Sequence, residues 1–282
     1  PVPPDVAELD DLARRALAED LGQAGDVTSK RIVRAELPGR ATIIAKSSGI
    51  LAGTGIATAV FRAVDPALAL TWKLDPGAPL VPGGTVAELS GRARAILAGE
   101  RVGLNFLQQL SGVATTTAAF VAAAAPYGVK VLCTRKTVPG LRRVQREAVA
   151  AGGGTLHRAG LYDAILIKTT HIGLAGGIAE AVRRARAQPV MPVEIEVRTA
   201  AELEEALEAR AEWILLDNAG LEAAASAVAA TRGKAFLEIS GGVNLANVEA
   251  IAACRPDAIS VGALTHSAPA CDLALRIAGP VG

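Results

Sequence analysis

The sequence predicts an α/β protein in which a small mixed unit precedes an incomplete parallel βα barrel. From Val129 onward, apolar segments of strand length alternate with helical segments rich in Ala, Glu and Arg, with a period of about 20–30 residues, as βα units do. The predicted strands end in charged residues or in turns that contain glycine, as barrel strands do at the catalytic face. With about six or seven units the barrel is short of eight, and a doubly wound open sheet is the alternative.

The first third of the chain predicts the small mixed unit. Pro3-Pro4-Asp5 begins a helix from Val6 to Leu21 with apolar residues at helical spacing, and the Gly25–Thr28 segment ends it. A short helix follows through Ala57 to Val64, and turns rich in proline and glycine connect the strands. The predicted strands are Ala41–Lys46, Leu68–Leu74 and Thr85–Leu89.

From Arg92 the pattern becomes helical and then alternates. We predict a helix from Ala93 to Leu110, an interruption at Ser111-Gly112, and a further helix from Thr115 to Ala124. The predicted strands are Val129–Thr134, Ala164–Lys168, Val193–Val197, Trp213–Asp217, Phe236–Ser240 and Ala258–Val261. The predicted helices between them are Gly177–Arg186, Ala200–Ala209, Leu221–Ala230 and Asn244–Ala253. No G-x-G-x-x-G segment follows a predicted strand, which argues against a dinucleotide-binding sheet.

Composition excludes several classes of protein. The 282 residues are 51% hydrophobic and 20% charged, which excludes wholesale disorder, and a formal charge of +1 argues against a general nucleic-acid or membrane-surface protein. Cys133, Cys254 and Cys271 are widely separated and form no C-x-x-C pair, so neither a disulfide framework nor a zinc site is predicted. With no secretory signal and no apolar run of membrane length, we expect a cytoplasmic protein.

The polar residues at the predicted strand ends form a candidate site. Arg135, Lys136, His157, Arg158 and Lys168 are cationic and suit carboxylates and phosphates. The later strands end in acids and in short turns that offer backbone N–H groups, which suit a phosphorylated sugar and Mg²⁺. These later groups are Glu196, Asp217, Ser240-Gly241-Gly242 and Val261-Gly262-Ala263. The expected ligand is polyanionic and partly a sugar phosphate.

The three histidines allow several roles. His157 is either a general base or a positioning group, and the adjacent Arg158 is expected to lower its pKa. We expect His171 to bond a nearby carbonyl and His266 to be structural.

Taken together, these segments resemble the quinolinate phosphoribosyltransferase family over nearly the whole chain. The motifs that carry the resemblance are Glu19–Gly22, Gly25–Thr28, Gly99–Asn105, Leu110–Thr115, Thr134–Leu141, Gly152–Arg158, Leu161–Lys168, Glu194–Val197, Leu215–Asn218, Glu238–Gly242 and Val261–Ser267. The resemblance implies an N-terminal α/β sandwich domain (1–112, joined by the tail 268–282) and an open α/β barrel (113–267). It also implies a homodimer, or a higher oligomer, in which Arg101 reaches the partner's site.

The resemblance further implies roles for individual residues. Lys168, Glu196, Asp217 and Lys136 are the expected catalytic residues, and Glu196 and Asp217 the expected Mg²⁺ ligands. The expected quinolinate and phosphoribosyl pyrophosphate contacts are Arg101, Thr134, Arg135, Lys136, His157, Arg158, Lys168, Glu196, Asp217, Ser240, Gly241, Gly242, Val261, Gly262 and Ala263. No organic cofactor and no nucleic-acid or membrane partner is expected.

The implied reaction converts quinolinate and phosphoribosyl pyrophosphate into nicotinate mononucleotide, pyrophosphate and CO₂, a step of de novo NAD biosynthesis. One motif departs from the family, which usually has Lys-Asp-Asn-His where this chain has Lys168-Thr169-Thr170-His171. We expect the threonine hydroxyls to substitute in part. The alternatives are a molybdenum-transport-linked relative with another anionic substrate, a non-catalytic barrel that binds a phosphorylated metabolite, and an aldolase that uses Lys168 as nucleophile.

Overall fold

The structure is a computed structural model that describes residues 6–187 and 191–278. The chain forms two compact units. The first comprises the described residues up to Thr116, the segment Arg143–Gly152 and the described residues from Ala268; the second comprises Thr117–Arg142 and Gly153–Ser267. The chain passes from the first unit to the second within one helix.

These units differ from the expected division in two places. Residues 113–116 belong to the first unit, and so does the segment Arg143–Gly152, which lies in the middle of the expected barrel domain. The second difference has a physical cause, because this segment is held by an ion pair between Arg143 and Glu8 near the chain's beginning. A pairing across so many residues gives no signal in a local sequence pattern.

The strands of the first unit are β1 (Pro38–Ala45), β2 (Gly49–Ile50), β3 (Ala69–Trp72), β4 (Pro79–Leu80), β5 (Thr85–Arg92) and β12 (Leu273–Ala278). Four of them form an antiparallel sheet of order β12-β1-β5-β3. Its helices are α1 (Val6–Leu21), α2 (Val27–Ile32), α3 (Thr54–Val64), most of α4 (Ala93–Ala124) and α5 (Arg142–Ala151). One apolar core forms beneath the sheet, with Ile43, Phe61 and Leu107 at most 1% exposed.

The predicted interruption of the long helix at Ser111-Gly112 is wrong, because α4 continues without a break from Ala93 to Ala124. Gly112 is required there for close packing and not for a turn: a Cβ at this position would lie 2.0 Å from the carbonyl oxygen of Pro269. Ser111 is also buried, and its hydroxyl accepts a hydrogen bond from the backbone N–H of Ala52 at 3.1 Å. Small residues therefore mark a tight contact along this helix.

Helix α1 ends at Leu21, before the Gly25–Thr28 segment, and that segment begins a helix that was not predicted from the sequence. The carboxylate of Asp26 accepts a hydrogen bond from the backbone N–H of Ser29 at 2.9 Å and so caps α2. This capping pattern was present in the sequence, but the six residues of α2 show too little apolar periodicity to predict a helix.

The second unit is built, in the part of the chain that the structure describes, on a six-stranded parallel sheet of order β6-β11-β10-β9-β8-β7. Its strands are β6 (Lys130–Leu132), β7 (Ile165–Ile167), β8 (Val193–Val197), β9 (Trp213–Asp217), β10 (Phe236–Ser240) and β11 (Ala258–Ser260). Its helices are α6 (Thr169–Ala175), α7 (Ile178–Ala185), α8 (Ala200–Glu208), α9 (Leu221–Thr231), α10 (Val248–Ala253) and α11 (Ala263–His266), with a 3₁₀ turn at Ala125–Tyr127.

This sheet is open, because β6 and β7 lie at its two edges and do not pair with each other. A single bridge between Leu132 and Thr155 adds one residue of strand beyond β6. The predicted incomplete barrel of parallel βα units is confirmed, with an α/β sheet unit before it.

The register of the parallel strands directs acidic side chains to one face of the sheet. In β8 the residues Glu194 and Glu196 alternate with Ile195 and Val197, and all four are buried. Successive side chains of a strand point to opposite faces, so Glu194 and Glu196 lie on the same face of the sheet. The register of β9 with its two neighbours, β8 and β10, places Glu238 of β10 on that face as well. One face of this sheet is therefore apolar against the helices, and the other carries buried charge.

Among the described residues, no helix combines the length and the apolar character needed to cross a membrane.

Candidate active site

A cavity of about 750 Å³ lies in the second unit, where the parallel strands end. Its lining contains the predicted site residues of this unit, which are Thr134, Arg135, Lys136, His157, Arg158, Lys168, Glu196, Asp217, Ser240, Gly241, Gly242, Val261, Gly262 and Ala263. The remaining predicted residue, Arg101, lies exposed on α4 of the first unit. Residues that the sequence spreads over 130 positions thus meet at one place, as the strand order of a parallel sheet requires.

The segment after β6 brings two cations into the cavity. Thr134 accepts a hydrogen bond from the Lys136 backbone N–H at 3.0 Å, and the Thr265 hydroxyl donates to the Lys136 carbonyl at 2.8 Å. The Nε atom of Arg135 is buried and has no hydrogen-bond partner within the described chain. A buried donor without an acceptor is costly, and an anion in the cavity would satisfy it.

His157 and Arg158 follow the bridge at Thr155 and form the next part of the cationic wall. Asp163 fixes the loop beyond them, because its carboxylate accepts hydrogen bonds from the backbone N–H groups of Ala159 and Gly160 at 2.6 and 3.0 Å. The Arg158 guanidinium donates to the carbonyl of Ala164 at 3.3 Å. Burial and the nearby Arg135 both lower the pKa of Arg158, so two cations are held close together at this wall.

The expectation that Arg158 lowers the pKa of His157 is wrong. Burial of the imidazole does oppose its charge, but Glu194 and Glu238 lie 2.9 and 3.5 Å from Nε2 and raise the pKa of His157 to about 9. The sequence analysis considered the adjacent residue and missed these two acids, which come from strands far along the chain. A high pKa also makes His157 a poor general base near neutral pH, so positioning is the role that its environment favours.

Lys168 ends β7 and caps α6, where its side chain forms an ion pair with Glu196. The Thr169 hydroxyl donates to the other carboxylate oxygen of Glu196 at 3.1 Å. Burial opposes the charge of Glu196, but these contacts lower its pKa below the ordinary value. Thr169 therefore contacts an acid of the cavity, and its partial substitution for the family's acid stays a prediction. His171 does not bond a carbonyl as expected: its Nδ1 accepts from the Lys168 backbone N–H at 2.9 Å.

The acidic part of the cavity centres on Glu196 and Asp217, which also face Arg198. The guanidinium of Arg198 lies 3.8 Å from Glu196 and 4.0 Å from Asp217. Asn218 donates to the Asp217 carboxylate at 2.9 Å and adopts a left-handed backbone (φ 56°). Its backbone N–H donates to the carbonyl of Ser240 at 2.8 Å, which links the ends of β9 and β10.

The glycine turns after β10 and β11 allow close approach of the chain to the cavity. Gly241 has φ +91°, and a Cβ there would lie 2.7 Å from the Asn218 backbone nitrogen. A Cβ at Gly262 would lie 2.8 Å from the Lys136 side chain and 3.1 Å from Nε2 of His266. His266 lines the cavity, and its Nδ1 lies 2.6 Å from the Ser267 hydroxyl; its structural role stays a prediction.

Several residues that line the cavity were not predicted from the sequence. These are Leu166, Arg198, Leu215, Asn218, Glu238, Val243 and Ser260. Arg198 and Asn218 each follow a strand end directly, so the same argument that found Asp217 applied to them. Glu238 lies within an apolar strand, and a charge in the middle of such a strand was the available signal.

Comparisons with known proteins agree with this architecture. Two family profiles match the chain: "Quinolinate phosphoribosyl transferase, N-terminal domain" over residues 26–111 and "Quinolinate phosphoribosyl transferase, C-terminal domain" over residues 113–276. A relative from Nicotiana tabacum, "Quinolinate phosphoribosyltransferase [decarboxylating] 1b", is 39% identical over 96% of this chain and 82% of its own length. "Probable nicotinate-nucleotide pyrophosphorylase [carboxylating]" from Bacillus subtilis is 39% identical over 96% of this chain and 93% of its own.

Solved structures give the same result. The nicotinate-nucleotide pyrophosphorylase of Francisella tularensis superposes with a TM-score of 0.94 at 39% identity, covering 98% of both chains. A structure from Streptococcus pyogenes superposes with a TM-score of 0.94 at 35% identity, covering 99% of both chains. Sequence, fold and the arrangement of the cavity therefore agree that the chain belongs to the quinolinate phosphoribosyltransferase family.

Proposed function

We propose that this protein is a decarboxylating phosphoribosyltransferase that forms nicotinate mononucleotide from quinolinate and phosphoribosyl pyrophosphate, as a step of NAD biosynthesis. The observation that carries the proposal is the two-part cavity, which has a wall of cations around Arg135 and Arg158 and a group of acids and glycine turns around Asp217 and Gly241. The names of the relatives support the same reaction.

The cationic wall suits the two carboxylates of quinolinate. Arg135, Arg158 and the charged His157 line this wall, and guanidinium groups bind carboxylates in bidentate pairs. A pyridine with one carboxylate would leave part of this positive charge without a partner. The wall thus selects a dianion and fixes its ring nitrogen relative to the sugar.

The opposite part suits the sugar phosphate. The turns at Gly241 and Gly262 present backbone N–H groups after the last two strands, where barrels commonly hold phosphate. Glu196 and Asp217 are carboxylates, the ligand type that Mg²⁺ prefers, and Arg198 now lies near both of them, so a metal there would take over part of the place of this cation. We propose that they hold Mg²⁺, which supplies neutralising charge to the pyrophosphate when it is bound.

The reaction has two stages in this arrangement. The bond between the anomeric carbon and pyrophosphate breaks while a bond to the quinolinate nitrogen forms, through an oxocarbenium-like state that neighbouring negative charge stabilises. The 2-carboxylate then leaves as CO₂, its electron pair stays on the ring carbon beside the cationic nitrogen, and a proton from water completes the product. Lys168 and Lys136 hold the carboxylates and phosphates in position during these steps.

An aldolase that uses Lys168 as nucleophile is disfavoured by the geometry. A Schiff-base lysine must be neutral to attack, whereas the ammonium of Lys168 is paired with the buried Glu196. Of the remaining alternatives, neither the molybdenum-transport-linked function nor ligand binding without turnover is favoured by a specific contact of the described residues.

We also propose a homodimer with shared sites, in which Arg101 enters the cavity of the partner. The exposed position of Arg101 on α4 leaves it available for such a contact. A cytoplasmic location is part of the proposal, supported by three cysteines that form no disulfide. Several plant relatives are named chloroplastic or mitochondrial.

The test of the activity is direct. We expect the purified protein, incubated with quinolinate, phosphoribosyl pyrophosphate and Mg²⁺, to release nicotinate mononucleotide, pyrophosphate and CO₂ in equal amounts. Nicotinate in place of quinolinate is the matched control and should give little product. Failure to form the mononucleotide at any protein concentration, by a protein that is folded, would refute the proposal.

A further inference from the structure

Three buried side chains at the inner end of the cavity form a cluster that the reaction above does not use. Nε2 of His157 lies 2.9 Å from Oε2 of Glu194 and 3.5 Å from Oε2 of Glu238. The two acidic side chains are only 3% and 1% exposed, and that of His157 is 9% exposed. Paired charges buried this deeply are rare unless each has a definite partner.

Trp213 fixes the geometry of this cluster. Its indole N–H donates to Oε2 of Glu238 at 3.2 Å, and its ring meets the imidazole edge-on with a centroid distance of 5.3 Å. Trp213 pairs in register with Glu194 on the adjacent strand, so β8, β9 and β10 each contribute one side chain to the surroundings of His157. The imidazole is therefore held from three strands and has little freedom to turn.

The charges around the ring favour its protonated form. Glu194 of β8 and Glu238 of β10 face the imidazole. The cations Arg158 and Arg135 belong to the loops of the cavity wall. The Cys133 sulfur accepts a hydrogen bond from the His157 backbone N–H at 3.4 Å. With a neutral ring, two carboxylates would be buried side by side, which burial makes costly. Burial and the neighbouring charge of Glu238 raise the pKa of Glu194 above its ordinary value, whereas the imidazole and Arg158 act to lower it. A proton on the ring therefore offsets one of these charges.

One contact acts in the opposite direction. The backbone N–H of Arg158 lies 2.8 Å from Nδ1 of His157, and such a bond requires a lone pair on Nδ1. Nε2 carries a proton both in the neutral ring that this bond allows and in the cation, so the two carboxylates favour the cation through their charge and not through an additional hydrogen bond. The balance therefore favours the cation, in agreement with the pKa of about 9 for His157.

We propose that Glu194 and Glu238 are positioning residues that act through His157, keeping its imidazole cationic and oriented at the wall that binds the substrate dianion. The inference rests on the proposed function for the identity of that dianion and adds two buried acids to the groups on which the site depends. The cluster has ligand atoms spaced within 4.8 Å, as a metal site would. The hydrogen bond that the neutral indole of Trp213 donates to Glu238, and the attraction of the Arg158 cation for Glu194, give both acids partners within the described chain.

The first test reads the ring itself and needs no activity. The protein has only three histidines, so imidazole NMR signals can be assigned by loss of one signal in His157→Asn. We expect His157 to titrate at about 9 in the wild type and about 1–3 units lower in Glu194→Gln and in Glu238→Gln. The amide oxygen of Glu238→Gln can still accept from Trp213, so this variant removes the charge and keeps that contact.

Three results would overturn the inference, and none depends on turnover. In the first, His157 of the wild type titrates at the ordinary value of about 6.5. In the second, the titration of His157 is unchanged in both glutamine variants. In the third, the wild type retains a divalent metal in stoichiometric amount and the variants lose it. If the NMR shifts occur as expected but the wild type makes no mononucleotide, the proposed function fails while the charge on His157 stands.

The second test separates positioning from a merely structural role. At about pH 8, between the ordinary histidine value of about 6.5 and the value of about 9 of His157, the wild-type ring is mostly charged, and the variant ring, with the lowered pKa, is at least half neutral. We expect the glutamine variants to raise KM for quinolinate about tenfold there, the equivalent of one charge-assisted contact. KM for phosphoribosyl pyrophosphate should stay unchanged.

At about pH 6 the variant ring regains its proton, so the increase in KM should shrink. An increase in KM for both substrates, equal at the two pH values, would mean general damage to the cavity and would refute the positioning role. The urea unfolding midpoint of each variant serves as the folding control.

Discussion

At the scale of the residue, the charge of Glu196 is held by neighbours that lie far from it in the sequence. Glu196 has Lys168 on one carboxylate oxygen and Thr169 on the other, so both oxygens are engaged from the loop after β7. Where the family usually has an acid after this lysine, the chain has a hydroxyl that donates to Glu196. A second acid at that position would repel Glu196, whereas a hydroxyl stabilises its ionised form.

The hydrogen bond from Thr169 to Glu196 predicts the effects of two substitutions at Thr169. Thr169→Val keeps the shape of the side chain and removes the donor, so we expect kcat/KM to fall about tenfold, since a hydrogen bond to a charged group contributes about 1.5–3 kcal/mol. Thr169→Ser keeps the hydroxyl and should stay close to wild type. Steady-state kinetics with both substrates measure the difference, and equal activity of the two variants would show that the hydroxyl has no role.

The residues of the cavity were largely predictable from the ends of the strands, because a charged residue after an apolar run is visible in the sequence. The partners that set their charge were not. Glu194 is visible as an acid in an apolar strand, but its contact with His157 depends on how β8 lies relative to the loop after Thr155. That information belongs to the strand order and not to any local pattern.

At the scale of the element, the two main errors concern helices. Small residues in α4 were interpreted as a break and are instead a place where the chain from Pro269 packs closely. The short helix α2 was overlooked because a capping residue indicates it in the sequence and an apolar face does not. Propensity and periodicity describe an isolated helix well, but they do not include what packs against it.

The surroundings of two helical glycines, Gly112 in α4 and Gly173 in α6, predict opposite effects when each is replaced by alanine. In Gly112→Ala the new methyl group would lie 2.0 Å from the Pro269 carbonyl oxygen, and we expect a loss of about 1–3 kcal/mol in the free energy of unfolding. In Gly173→Ala of α6 nothing lies within 4 Å, and the better helix former should gain about 0.5–1 kcal/mol. Urea unfolding measures both, and an equally stable Gly112→Ala would contradict the close contact.

The cap of α2 predicts a stability effect that depends on pH. Asp26→Ala should cost about 1 kcal/mol near neutral pH, whereas Asp26→Asn keeps an acceptor and should cost little. Hydrogen bonds from Ser29 lower the pKa of Asp26 below 3.8. The charged cap therefore contributes fully above that value and is lost as the pH falls through the lower folded-state pKa.

The difference in unfolding free energy between wild type and Asp26→Ala should accordingly shrink below about pH 4. Chemical unfolding over an acidic pH series measures it. A difference that stays constant down to the acid limit of the folded state would show that the carboxylate charge does not take part.

At the scale of the whole molecule, the class of fold followed from the alternation of strands and helices, and the openness of the barrel followed from counting them. The assignment of Arg143–Gly152 to the first unit did not follow, since it depends on contacts such as that with Glu8. The sequence pattern did not predict how subunits associate either, because a dimer contact leaves no periodic pattern in one chain. The role of Arg101 therefore stays a prediction that a mixing experiment must test.

Subunit mixing gives that test. We expect Arg101→Ala and Lys168→Ala to be nearly inactive alone, and an equal mixture that exchanges subunits to regain about one quarter of wild-type activity, because half the dimers are mixed and each has one intact site. The same mixture without exchange is the control. An exchanging mixture that regains nothing would mean that Arg101 serves its own subunit or neither.

The open sheet has a consequence for how the protein responds to its substrate. The cations of the cavity are divided between the two unpaired edges, with Arg135 after β6 and Lys168 after β7. Beside β6 the described chain adds one bridge, between Leu132 and Thr155, which does not reach β7. A dianion bound by both cations, as proposed, would act as a removable crosslink between the two edge strands. We therefore expect the amide hydrogens near this gap to exchange with solvent more slowly when quinolinate is bound.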